Sequence, residues 1–105
     1  MKSLDEILQL IEKSKLSLVL ASTHGCSVCD VVEPKVLKII KRFSEIKYIH
    51  IYIDDMVEAS GEFMVFTVPT LILFAEGKEI SRQGRFINFE ELEFEINRWY
   101  EFLFK

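Results

Sequence analysis

An α/β fold, with a central mixed sheet flanked by helices on both faces, is predicted by three observations. Segments of strand length and segments with helical apolar spacing follow one another in the order αβαβαββα. The strands are joined first by helices and last by a hairpin, which favours a sheet of mixed direction. Residues 17–22 form a short apolar run of the kind expected for a strand buried on both faces. The chain has 105 residues, 50% of them hydrophobic, with nine phenylalanines, three tyrosines and one tryptophan. A chain of this size builds one core and buries about 60–70% of its unfolded surface, so residues 1–105 are expected to form a single domain.

Each element has its own signal. Ser3 followed by Glu6 has the spacing of a capping box, and Leu4, Ile7, Leu8 and Ile11 then repeat on one helix face, predicting a helix over about 4–14. The apolar strand follows, then Cys26-Ser27-Val28-Cys29. Val28, Val31, Val32, Val36, Ile39, Ile40 and Phe43 form the stripe of a second helix. Pro34 falls inside it and, lacking a donor, should kink it. Tyr48 to Asp54 alternates strictly, with Ile49, Ile51 and Ile53 on one face and Tyr48, His50 and Tyr52 on the other, as in a central strand covered on both sides. Asp54-Asp55 is expected to cap a short helix ending near Phe63. Leu71 to Phe74 reads as a strand, Glu76-Gly77 as a turn and Lys78 to Gln83 as a returning edge strand. Asn88 with Glu91 caps a last helix whose stripe is Phe89, Leu92, Ile96, Trp99 and Leu103.

Composition excludes several functions. The net charge of -4 gives no general attraction to nucleic acid, and no block of five or six like charges is present. Residues 16–21 are far fewer than the roughly 20 apolar residues a membrane-crossing helix needs, so no membrane partner is expected. The opening Met1-Lys2-Ser3-Leu4-Asp5-Glu6 is acidic too early for an export signal, which predicts a cytoplasmic protein.

The chain has only two cysteines, so a cysteine-rich disulfide framework is excluded and the two thiols are expected to serve each other. If the second helix begins just after Cys26, that sulfur sits where free backbone N–H groups and the helix dipole favour an anion. Cys29, one turn further in, shares the helix face but lies deeper. These positions assign roles: Cys26 is the accessible nucleophile and Cys29 resolves the mixed disulfide. His24, two residues before Cys26, reads first as a polar loop residue; when protonated it would help hold a thiolate there. Asp30 favours the helix start but opposes a second anion on Cys26. The Cys26 thiol is therefore expected below its free pKa of about 8.5 and well above the most acidic redox thiols at about 3.5. A structural zinc site needs four ligands, and one chain adds to the cysteines only His24, His50 and scattered carboxylates, so no metal and no other cofactor is expected unless two chains share an ion.

In these residues the chain resembles the thioredoxin family along nearly its whole length. Leu18–Ala21, Cys26/Cys29, Pro34, and Val68-Pro69-Thr70 leading into Leu71–Phe74 match the family's strand, redox pair, helix proline and Val/Ile-Pro-Thr strand entry. Glu76-Gly77-Lys78 and Gly84 fall at its hairpin and beside its substrate groove. The resemblance implies a thioredoxin-like fold and a cis Val68–Pro69 bond. It also implies a substrate-binding role for Gly25, Val68, Pro69 and Gly84, in which the Val68 backbone pairs with an extended substrate segment. The chain departs from the family in having Gly25 where thioredoxins carry tryptophan, Ser27-Val28 for Gly-Pro, and Leu20 for a buried aspartate; the accompanying buried lysine aligns with His50. Between isoleucines, His50 reads as a packed, hydrogen-bonded side chain.

The expected function is thus that of a thiol–disulfide oxidoreductase, mainly a disulfide reductase, acting on protein or small-molecule disulfides. Its electrons would come from a reductase or a low-molecular-weight thiol. Two alternatives stand beside it: a binding module with slow or no redox turnover, and release of small-thiol adducts by Cys26 alone.

Overall fold

The computed structural model describes residues 2–105. Leu4–Lys13 forms α1, started by the full capping box: Glu6 N–H donates to the Ser3 hydroxyl and Ser3 N–H to the Glu6 carboxylate. β1, Leu16–Ser22, is buried at every residue. α2 runs over Ser27–Ile40 and continues across Pro34. β2 is Lys47–Tyr52, α3 Val57–Glu62, β3 Thr70–Ala75, β4 Lys78–Gly84 and α4 Phe89–Phe104, the last capped by the Asn88 side chain taking the Glu91 N–H.

The four strands lie in the order β2-β1-β3-β4. β1 pairs with β2 in parallel and with β3 antiparallel, and β3 pairs antiparallel with β4. The sheet is therefore mixed, as the sequence order requires. Alternation along β1 divides the core in two. Leu16, Leu18 and Leu20 pack with Val32, Val36 and Ile39 of α2 and Leu92 and Ile96 of α4. Val19 and Ala21 pack with Ile7 and Ile11 of α1 and Ala59 of α3. Helices thus cover both faces, and the side-chain period of two decides which residue faces which helix.

Two expectations are corrected. β2 is an edge strand, paired on one side only, so His50 is not in a central strand; alternation reports which face a side chain takes, not how many neighbours its strand has. Asp54-Asp55 does not cap α3, whose N-cap is Met56 with no side-chain hydrogen bond. The Asp54 carboxylate is engaged elsewhere, by His24. Of the last aromatic residues, Phe104 joins the core and Phe102 stays exposed. Among the described residues, no helix is long and apolar enough to cross a membrane.

Candidate active site

The site is built where β1 ends. Its last residue on the α2 face is Ser22; the chain then turns through His24 and Gly25 and enters α2. Gly25 has φ +76, a left-handed conformation that a side chain would strain, and no atom lies where a Cβ would project. Cys26 is the N-cap of α2, and its Sγ accepts the Cys29 N–H at 3.1 Å. One of the orphan donors of the helix start therefore points at the sulfur. Cys29, in the first turn, is buried, and Cys26 is partly exposed. The two are joined as a disulfide with Cα atoms 5.3 Å apart, inside the ordinary range for such a bond. The amino end of the helix, the partly exposed first cysteine and the buried second one are all where the spacing puts them.

Val68–Pro69 is cis. Pro69 is buried and leads into β3, whose first residue, Thr70, pairs with Ala21 of β1 on one side and Gly84 of β4 on the other. That register sets Pro69 at the same sheet end as the loop into Cys26. Arg85 N–H donates to the Pro69 carbonyl at 2.8 Å, which ties the end of β4 to the same place. A Cβ on Gly84 would meet Thr67 and Thr70 at ordinary contact distance. Val68 is half-buried, and Val28, Phe66 and Phe86, from the segments around the disulfide, are exposed. Asp30 is exposed in the first turn of α2.

The two histidines are held differently. His24 stacks on Tyr52, with ring centroids 4.1 Å apart, and its Nδ1 lies 3.1 Å from the Asp54 carboxylate. The Asp55 carboxylate stands 3.7 Å from Nε2. Desolvation acts to raise the Asp54 carboxyl, but hydrogen bonds from the His24 ring and N–H outweigh it and hold the group below its ordinary value. Among the described residues, His24, Asp54 and Asp55 are the one set of three donors close enough to share a cation; all three are exposed, and His24 is already bonded to Asp54.

His50 lies between β2 and α2. Its Nδ1 is 2.8 Å from Glu33 and its Nε2 is 2.6 Å from the Ser22 hydroxyl. An ionised carboxylate only accepts, so Nδ1 carries a proton and donates to Glu33; in the neutral ring Nε2 then accepts from Ser22. Tyr48 donates to the same Glu33 carboxylate at 2.7 Å. Burial first, and this bond to a carboxylate second, push the Tyr48 phenol far above its usual range. Sequence reading missed Glu33, Tyr48 and Ser22. The available signal was Glu33 itself, an acid set between Val32 and Val36 of the apolar stripe, one helical turn beyond Cys29.

The comparisons agree with this geometry. The family model described as Thioredoxin matches residues 2–98. The chain is 43% identical to "Thioredoxin-like protein YdfQ" of Bacillus subtilis (strain 168) over 98 residues, covering 93% of this chain and 88% of that protein. It is 30% identical to Thioredoxin H2 of Arabidopsis thaliana over 74 residues, 70% of this chain and 56% of that one. In fold it is similar to oxidised mitochondrial thioredoxin 3 from Saccharomyces cerevisiae, with TM-score 0.81 at 22% identity over 93% of this chain and 92% of that one. A mutant thioredoxin from Halobacterium salinarum NRC-1 superposes with TM-score 0.84 at 20% identity, over 95% of this chain and 88% of that one. The family match, the fold and the bonded Cys26–Cys29 pair at the start of α2 together make this chain a member of the thioredoxin family, with the redox pair of a thiol–disulfide oxidoreductase.

Proposed function

We propose that the protein is a cytoplasmic disulfide reductase that cycles Cys26 and Cys29 between dithiol and disulfide. The observation that carries this reading is the asymmetry of the pair: Cys26 Sγ is at the mouth of α2 under the Cys29 N–H, and Cys29 is buried behind it. In the reduced protein the Cys26 thiolate attacks a substrate disulfide, forming a mixed disulfide and releasing one substrate thiolate. Cys29 then attacks Cys26 Sγ, the internal disulfide forms and the second substrate thiol leaves. One disulfide is reduced and one formed, and a reductase or low-molecular-weight thiol resets the pair with two electrons. The edge formed by Val68, Pro69 and Gly84, at the sheet end where β1 runs on to Gly25, supports a site for an extended disulfide-bearing segment, whose backbone would pair with that of Val68.

Insulin reduction with dithiothreitol as donor tests the reading. The wild-type chain should accelerate it and Cys26→Ser should abolish the acceleration. No cysteine-dependent rate would leave the binding-module reading in its place.

A further inference from the structure

A buried thiol cannot attack as a thiol; Cys29 has to lose its proton before it can close the disulfide. The sheet face under the start of α2 offers Leu18, Leu20 and Ser22 from β1 and Tyr48, His50 and Tyr52 from β2. Glu33 of α2 reaches down to that face and bonds His50 at 2.8 Å. Glu33 is on the same side of α2 as Cys29, one turn on, where side chains four residues apart are neighbours at about 5–6 Å between Cβ atoms. The pair is anchored inward by Ser22, four residues before Cys26, and outward by Tyr48, while the Glu33 and His50 side chains keep 30% and 17% of their surface in solvent. The pair therefore has one side in solvent and is rooted on α2 one helical turn from the buried Cys29.

We infer that the Glu33–His50 pair is the base for the resolving step: it takes the proton from Cys29, directly or through one water, as Cys29 Sγ attacks Cys26 Sγ. The inference rests on the exchange reading above. The Sγ–Sγ bond forms, the bond from Cys26 to the substrate sulfur breaks, the substrate departs as a thiolate, and the proton passes to solvent from the exposed side of the pair. On reduction of the Cys26–Cys29 bond by a donor thiol the same pair returns a proton to the leaving Cys29. The other titratable groups facing it are Tyr48 and Tyr52 from β2 and, across Tyr52, His24 with Asp54 and Asp55.

The test is stopped-flow reaction of the reduced protein with 5,5'-dithiobis(2-nitrobenzoate). Attack by Cys26 releases one equivalent of the yellow thiolate and attack by Cys29 on the mixed disulfide releases a second. Glu33→Gln and His50→Gln should slow the second release about tenfold or more at pH 7, with the gap narrowing toward pH 9.5 as hydroxide takes over removal of the proton. The first release should be unchanged. In the wild-type chain the second release should vary little over that range, whereas an unassisted thiol would speed up about tenfold per pH unit below its pKa. A wild-type second release that climbs with hydroxide overturns the inference without any variant. A loss equal at both pH values, a loss shared by the first release, or a wild-type profile in both variants also overturns it. The exchange reading fails separately, if no first release depends on Cys26.

Discussion

The two histidines make an instructive contrast, because each is flanked by carboxylate and tyrosine and yet only one is enclosed. His24 sits on the surface loop before Cys26, stacked on one side of Tyr52, with Asp54 and Asp55 around its ring. His50 contacts the same Tyr52, at 4.3 Å between centroids, but lies between α2 and β2 with Glu33 and Ser22 on its two nitrogens. Water competes for every bond that His24 makes. It reaches only part of the His50 network, so breaking a bond there leaves partners without a substitute. Identical side-chain chemistry is worth little on one side of Tyr52 and a good deal on the other.

Deleting the acids tests that contrast most severely. Glu33→Ala strips an acceptor from both Tyr48 and His50 and should destabilise the fold by about 1–3 kcal/mol in urea titrations, the usual cost of leaving half-buried polar groups unpaired. Asp54→Ala should move the urea midpoint far less than Glu33→Ala does; a larger loss for Asp54 than for Glu33 would reverse the contrast.

Exchange kinetics give the next largest difference. Against the slowing of about tenfold or more expected for His50→Gln in the second thiolate release, His24→Ala should change the first release by less than about threefold, because its ring is exposed and water competes for its bonds. Equal effects from the two histidines would contradict the distinction between an enclosed and a solvated ring.

Tyrosine titration should sharpen it further. The Tyr48 phenol is raised by burial and by its bond to Glu33, so one tyrosine should remain protonated well beyond pH 10 by ultraviolet absorbance, and Tyr48→Phe should remove that late class. Because the folded value lies above the unfolded one, its contribution to stability is complete below about pH 10 and is lost as pH rises toward the folded value. The smallest effect belongs to Asp54, whose folded value is lowered. Its contribution is present above the unfolded value of about 3.9 and disappears as pH falls through the folded one. Carboxyl NMR should show Asp54 moving up toward that ordinary value in His24→Ala; a titration that stays put would detach His24 from it.

The parts of the molecule set by local sequence were legible from the residues alone. Ser3 with Glu6 and Asn88 with Glu91 cap helices through bonds three residues long, and the apolar periods of α1, α2 and α4 name their buried faces. The redox pair was equally plain, since a helix start and a spacing of three suffice to place both sulfurs. The cis bond at Pro69 was not written in local preference and came from the resemblance alone. What escaped was long-range. Glu33 and His50 are 17 residues apart and acquire a common function only when α2 lies across β1 and β2. The Asp54 carboxylate, two residues past β2, was spent on a loop 30 residues earlier instead of on the helix it precedes. Nor does strict alternation in β2 show that one flank of the strand is open, because that depends on which strands are present to pair with it.

The central claim is that Cys26 is a thiolate held by the start of α2, with Cys29 waiting behind it. Alkylation of the reduced protein with iodoacetamide across pH, followed by mass spectrometry of the two cysteines, addresses it most directly. The account predicts that Cys26 is modified first, with a midpoint below the free-thiol value of about 8.5. Modification of Cys29 first, or a Cys26 midpoint at or above that value, would contradict it.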